Sequence, residues 1–195
     1  MENFYAVLKE EGLEGASIAK VASRMGIHPS LTIHYFSNKE EMVVELVDYI
    51  LHLYEETFLP TLEEIEDPEE RLERTLDIVF GEDWNRLVDT GVFYACYSLG
   101  FRNRRVREIF LKMYGRLREV LEGEIAVCME KYGIDGQPAV LADYLITLIQ
   151  GYDFYRSLVD DDRRFDELSL YLKESALRLL RGTWERDRYR IEQSH

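Results

Sequence analysis

With 38 Asp+Glu against 24 Lys+Arg in 195 residues, the chain carries a formal net charge of −14, which excludes indiscriminate adhesion of its whole surface to nucleic acid. At 46% hydrophobic residues and only four prolines, it has room for a small N-terminal domain plus one larger helical core. No run of 18 apolar residues occurs and no charged-then-apolar leader opens the chain, so a cytoplasmic protein without a membrane partner is expected. Cys96 and Cys128 stand in no CxxC or Cys/His spacing, which argues against a disulfide framework or a zinc site. Cys96 reads as a buried thiol, with a redox-responsive one as the alternative.

In chain order, Asn3 to Glu11 reads as a first helix, with Phe4, Val7 and Leu8 inward and Gly12 as its stop. Ser17 suits an N-cap, because its hydroxyl can accept an orphan N–H of the turn that follows. Ile18 to Arg24 forms the second helix, in which Lys20 takes the place of the acid that would complete a capping box. Gly26 is free to adopt positive φ where that helix ends. His28-Pro29 restarts the chain, since proline fits the first position of a helix, here running to Tyr35. Two short helices joined by a glycine-containing turn make a helix-turn-helix, whose second member can enter a DNA major groove. Charge agrees. The 25 residues from Gly15 to Lys39 contain no Asp or Glu while holding Lys20, Arg24, His28, His34 and Lys39, and a surface facing phosphates excludes carboxylates.

Asn38 to Phe58 forms a long helix of about 30 Å, with Met42, Leu46, Tyr49, Ile50 and Leu53 as its apolar stripe and Leu59-Pro60 as its end. Asp48 and His52, four apart on it, read as a solvated ion pair rather than a metal site. Asp67-Pro68 starts a helix to Phe80, with Leu72, Leu76 and Val79 inward. A single helix is expected over Glu82 to Ser98. Arg102, Arg104, Arg105 and Arg107 make a second basic cluster, either a nucleic-acid patch or partners for the acidic surroundings. Further helices follow over Asn103 to Tyr132, Pro138 to Val159 and Phe165 to Arg181. The last two carry apolar arcs wider than one small core needs.

Gly12, Ser17, Val21-Ala22, Gly26-Ile27, His34-Tyr35-Phe36 and Asn38-Lys39-Glu40 fall in one register, and in that register the first 45 or so residues resemble the DNA-binding domain of the tetracycline-repressor (TetR) family of bacterial regulators. The resemblance implies an all-α fold. A three-helix helix-turn-helix domain would occupy residues 1–45, a helical ligand-binding and dimerisation bundle 46–182, and a polar, frayed tail 183–195. The expected DNA-binding residues are Ser17, Lys20, His28, Pro29, Ser30, Thr32, Ile33, His34, Tyr35 and Lys39, with Lys39 on phosphate. His34 has the alternative of a hydrogen bond inside the domain. Thr32-Ile33 departs from the family's Leu-Tyr pair, which removes one phosphate contact and offers an apolar group to a thymine methyl. The first helix is short and lacks the family's basic arm, so either the chain begins upstream or it does without arm contacts to the minor groove.

In TetR-like proteins the last two helices form a four-helix dimer interface, which here implies Leu141, Leu145, Leu148, Tyr152, Leu168, Leu172, Ala176 and Leu179. A two-fold dimer places its reading helices about one DNA turn apart, matching a palindromic operator. Trp84, Phe93, Tyr94, Tyr97, Tyr114, Tyr144, Tyr152 and Tyr155 concentrate the aromatics of the middle module, with Asp89, Asp143 and Asp153 nearby in sequence. Beside carboxylates they suit a flat, cationic organic ligand, and ordinary core is the alternative. No GxSxG, glycine-rich phosphate loop or His/Cys constellation occurs, so neither an enzyme nor a cofactor is expected. The expected function is a ligand-responsive, homodimeric, DNA-binding transcriptional repressor released from its operator by a small molecule. Its rival is an acidic, all-helical protein-interaction adaptor without sequence-specific DNA binding.

Overall fold

The computed structural model describes residues 1–36, 38–133, 135–159 and 161–192; the side chains of Thr32, Ile33, Tyr35, Asn85 and Asp162 and those of 180–192 lie outside the described residues. Among the described residues every regular element is a helix: α1 (Glu2–Gly15), α2 (Ile18–Met25), α3 (Pro29–Tyr35), α4 (Lys39–Glu63), α5 (Pro68–Val79), α6 (Glu82–Leu87), α7 (Thr90–Gly100), α8 (Arg104–Tyr132), α9 (Pro138–Arg156) and α10 (Asp162–Glu192).

Helix ends follow local chemistry. α1 breaks at Gly12, whose φ of 68° and ψ of 177° are not helical. Ser17 accepts the Lys20 N–H at the start of α2, and Gly26 closes that helix in the left-handed region at φ 67°. There the Gly26 and Ile27 N–H groups return to the carbonyls of Ser23 and Ala22, which satisfies acceptors the helix would otherwise orphan. Asp67 caps α5 through the N–H groups of Glu69 and Glu70. Asn103 caps α8 through those of Arg105 and Val106.

Several expected boundaries move, among them α1, which runs on to Gly15, and α9, which ends at Arg156 rather than Val159. The single helix over Glu82 to Ser98 is two, because the Asp89 carboxylate accepts the Val92 N–H and starts α7 afresh. Pro60 lies inside α4 rather than ending it, although a proline there removes one intrahelical hydrogen bond. Two residues on, Leu62 is buried, so continuing the helix carries an apolar side chain out of water. The backbone of α10 stays helical to Glu192, past the expected end at Arg181.

By its contacts the chain falls into two compact units, Met1–Thr57 with Asn85–Met113, and Phe58–Trp84 with Tyr114–His195. This division differs from a boundary at residue 45. A physical reason lies at Asp89: its N–H donates to the Tyr5 hydroxyl at 2.6 Å, and its carboxylate lies 3.6 Å from the Lys9 ammonium. Those bonds tie α7 to α1, which recruits a segment far along the chain into the N-terminal unit. That unit buries Phe4, Val7 and Leu8 of α1, Val21 and Ala22 of α2, Met42, Leu46 and Ile50 of α4, and Cys96 of α7. The second unit has one core, built from Leu72, Leu76 and Phe80, from Leu121, Ile125 and Met129 of α8, and from Leu145, Ile149, Tyr152, Phe165 and Ala176.

A Cβ at Gly26 would meet no atom within 4 Å, so a side chain there is opposed by backbone conformation alone. Gly26→Ala is expected to cost about 1 to 2 kcal/mol, the left-handed penalty of an L-residue. Thermal melts check this, and an unchanged melting temperature would show that the turn between α2 and α3 is not held in that conformation.

Candidate nucleic-acid interface and effector site

The α2–turn–α3 segment exposes Lys20, Arg24, His28, Ser30, Leu31 and His34, while Ser17, Pro29 and Lys39 are half-buried. The side chains of Thr32, Ile33 and Tyr35 lie outside the described residues. His28 is committed to the start of α3, where its Nδ1 accepts the Ser30 N–H at 3.3 Å and lies 2.8 Å from the Ser30 hydroxyl. The Lys39 ammonium donates to the Leu13 carbonyl, so the residue expected on phosphate ties α4 to the segment after the Gly12 break. An ammonium has three donors, and that bond uses one.

The acid-free stretch of sequence does not become an acid-free surface. Lys20 pairs with Glu11 at 2.6 Å and Arg24 with Glu10 at 2.7 Å. Both acids stand on α1, just before the stretch begins. Spacing along the chain could not reveal this, since α1 meets α2 only after the chain turns at Gly12. Leu31 was not among the expected readers, yet it is 52% exposed. It follows Ser30 and precedes His34 by three residues, a helical spacing that places it on the exposed side of α3.

The second basic cluster serves its surroundings. Arg105 pairs with Glu41, Arg104 with Glu108 at 2.8 Å, and Arg107 donates to the carbonyls of Gly100 and Phe101.

The eight aromatics expected to share one ligand site belong to two different units. Phe93, Tyr94 and Tyr97 belong to the first unit, where Phe93 and Tyr97 both meet Phe110 edge-on, at 5.7 and 5.2 Å between ring centroids. Trp84, Tyr114, Tyr144, Tyr152 and Tyr155 belong to the second. Within it Tyr144 and Tyr155 are exposed at 42% and 41%, and the Tyr114 hydroxyl donates to Gln150. Tyr152 is core, edge-on to Phe80 and Phe165, and its hydroxyl donates to the Phe165 carbonyl and accepts from Arg156 at 3.1 Å. Of the three nearby acids, Asp89 caps α7, Asp143 pairs with Arg118 at 2.8 Å, and Asp153 meets Trp84. The indole Nε1 donates to Asp153 Oδ2 at 3.2 Å, and the indole ring lies 5.6 Å from Phe58, tilted by 30°.

The expected dimer contacts also divide. Leu145, Tyr152 and Ala176 are at most 3% exposed inside the chain's own core, so their side chains cannot face a partner. Leu141, Leu148, Leu168 and Leu172 pack partly buried against the same core, and Leu179 is half-buried. Among the described residues the apolar side chains that α9 and α10 leave in solvent are others: Val140, Tyr144, Phe154, Tyr155, Leu170 and Tyr171. A 3.6-residue period identifies an apolar arc, but not which part of a wide arc the chain itself consumes.

Burial pushes the Cys96 thiol up to about 12, which keeps it from the thiolate form that oxidation requires. Among the described residues no group of three or more His, Cys, Asp or Glu is placed to hold a metal ion, and no helix is long and apolar enough to cross a membrane.

Known proteins share this geometry. A family model described as bacterial regulatory proteins, tetR family, matches residues 5–46, and another, described as tetracyclin repressor-like, C-terminal domain, matches residues 67–181. The HTH-type transcriptional regulator BetI of Rhizobium meliloti is 24% identical over 123 residues, a match that spans 63% of this chain and 61% of that protein. A TetR transcription regulator from Haloarcula marismortui has the same fold at a TM-score of 0.78 and 20% identity, over 90% of this chain and 93% of that one. A transcriptional regulator from Saccharomonospora viridis, solved in complex with choline, matches at a TM-score of 0.76 and 18% identity over 93% of each chain.

Burial also raises the Asp153 carboxyl to about 7, against the opposing pull of the Trp84 hydrogen bond and the Arg156 charge. A carboxyl raised in this way favours folding fully below its unfolded value of about 3.9, and that contribution is lost as pH rises through the folded value of about 7. Asp153→Asn is therefore expected to flatten the stability profile between those two values and to raise stability at pH ~8 by up to a few kcal/mol, at roughly 1.4 kcal/mol per unit, with a higher melting temperature there. Melting curves of both proteins across that range check it, and parallel profiles would show that Asp153 does not carry the pH dependence.

Proposed function

This chain belongs to the TetR family of bacterial regulatory proteins, and on that premise we propose that it is a dimeric transcriptional repressor released from its operator by a small organic molecule. The observation that carries the reading is the pair α2 and α3, joined through Gly26, with Ser30, Leu31 and His34 exposed along α3. Such a helix presents hydroxyl, apolar and imidazole groups to base edges, and Leu31 suits a thymine methyl. Lys20 and Arg24 bind phosphate by exchanging partners. Their pairs with Glu11 and Glu10 are exposed, and such pairs contribute about 0 to 1 kcal/mol. The displaced carboxylates then stand near the phosphates and oppose them.

A gel shift of the purified protein on its own upstream DNA tests the reading. A repressor shifts that DNA at low salt and is released as salt rises, whereas the adaptor alternative leaves it unshifted. Lys20→Ala is expected to weaken binding to operator and random DNA alike and to lower the salt slope by about 1. Glu10→Gln with Glu11→Gln is expected to tighten both by about five-fold, or about 1 kcal/mol. If the double variant binds no more tightly than the parent, these acids do not oppose DNA.

For the dimer, the exposed apolar residues of α9 and α10 form the face, with Tyr144 and Tyr155 on α9 and Leu170 and Tyr171 on α10. Large apolar side chains left in solvent on two helices support an interaction site there. Leu170→Glu with Tyr171→Glu is expected to halve the mass measured by light scattering and to abolish the operator shift. A variant that stays dimeric places the interface elsewhere.

The ligand response draws support from the regulator solved with choline. α4 and α8 each contribute residues to both units, so a ligand in the second unit can bias the helix that leads into the reading domain. It does so only as far as its affinity differs between the DNA-bound and released conformations.

A further inference from the structure

Asp153 presents an unusual arrangement of charge within the second unit. Its Oδ1 is buried with no hydrogen-bond partner, and among the described residues Glu124 Oε2 is the other such atom. Glu124 is compensated, since Arg71 meets its other oxygen at 2.7 Å. Among the described residues no cation meets Asp153 at that distance, although the Arg156 charge also acts on it. Arg156, one turn further along α9, donates to the Tyr152 hydroxyl and has Glu82 within 4.0 Å. Among the described residues the hydrogen bond to the Asp153 carboxylate comes from the neutral indole of Trp84. A buried carboxylate with one neutral donor is costly, and the cost is relieved by a proton or by a cation brought from outside.

We propose that Asp153 is the anionic anchor of a binding site for an organic cation, whose ammonium group pairs with Oδ1 and lies against the aromatic rings of Trp84 and Phe58. The chemistry selects the class. A bare metal ion requires several oxygen ligands, and no metal-holding cluster occurs among the described residues. A neutral donor leaves the buried negative charge uncompensated. An alkylammonium carries its charge under an apolar surface, so it satisfies the carboxylate while its methyl groups meet aromatic rings, and indole is the strongest of these for a cation. The Trp84 hydrogen bond fixes the carboxylate against the ring that shares the ligand. The site rests on the reading of this chain as a ligand-released regulator and names the class of ligand.

Calorimetric titration of the full-length protein at pH ~8 with tetramethylammonium and tetraethylammonium, and with neutral tert-butanol as the uncharged counterpart, tests the proposal. Saturable binding of at least one ammonium, and none of tert-butanol, is expected. Asp153→Asn keeps the shape and an acceptor for Trp84, and is expected to weaken ammonium binding by about tenfold or more. Trp84→Leu keeps Asp153 and is expected to weaken it as well. No saturable binding of either ammonium, equal binding of tert-butanol, or unchanged binding by a folded Asp153→Asn variant overturns the proposal. A gel shift in the same preparation separates the two readings. Operator DNA that shifts but ignores the ammonium leaves the regulator standing without this site, and ammonium binding by a protein that shifts no DNA leaves the site without the regulator.

Discussion

Twenty-four cationic side chains serve thirty-eight carboxylates in this protein, and where the cations go decides which helices are tied together. Arg71 joins α5 to Glu124 of α8, and also reaches the Ile65 carbonyl. Lys131 joins α8 to Asp67 at the start of α5, and Arg118 joins α8 to Asp143 of α9. Lys173 brings α10 to Asp77 of α5. In the first unit Arg105 brings α8 to Glu41 of α4. Each exposed pair contributes little alone. Together they place opposite charges where the excess of carboxylates would otherwise meet.

The same scarcity reaches α2. Lys20 and Arg24 are the cations a phosphate backbone would recruit, yet in the free protein both are held by acids of α1. Affinity for DNA is then a difference between two sets of ion pairs rather than a sum of new ones. On the proposed reading, the displaced carboxylates lower affinity for operator and random DNA alike, because both offer the same phosphates.

Asp153 inverts that rule. Here burial outweighs the pull of the Arg156 charge on the carboxylate, and one carboxylate oxygen is buried without a hydrogen-bond partner. Around it the second unit is well packed: Tyr152 joins Phe80 and Phe165 through ring contacts, and Leu145, Ile149 and Ala176 are buried completely or nearly so. The proposed cation site rests on that arrangement, since a perturbed buried carboxyl is a candidate functional group.

The sequence by itself determined the helical class, the turn at Gly26, the caps at Ser17 and Asp67, and the register that identifies the N-terminal domain. These are local matters, settled by which backbone angles a residue tolerates and which N–H its side chain reaches within three or four positions. Tertiary structure decided the rest. Asp89 starting a new helix, Glu10 and Glu11 closing on Arg24 and Lys20, and Leu145 and Tyr152 turning into the core all depend on neighbours remote in the chain. The aromatics of one stretch of sequence parted into two units for the same reason. Periodicity names the apolar side of a helix, but only the folded chain determines which helix covers it and which charges that brings within reach.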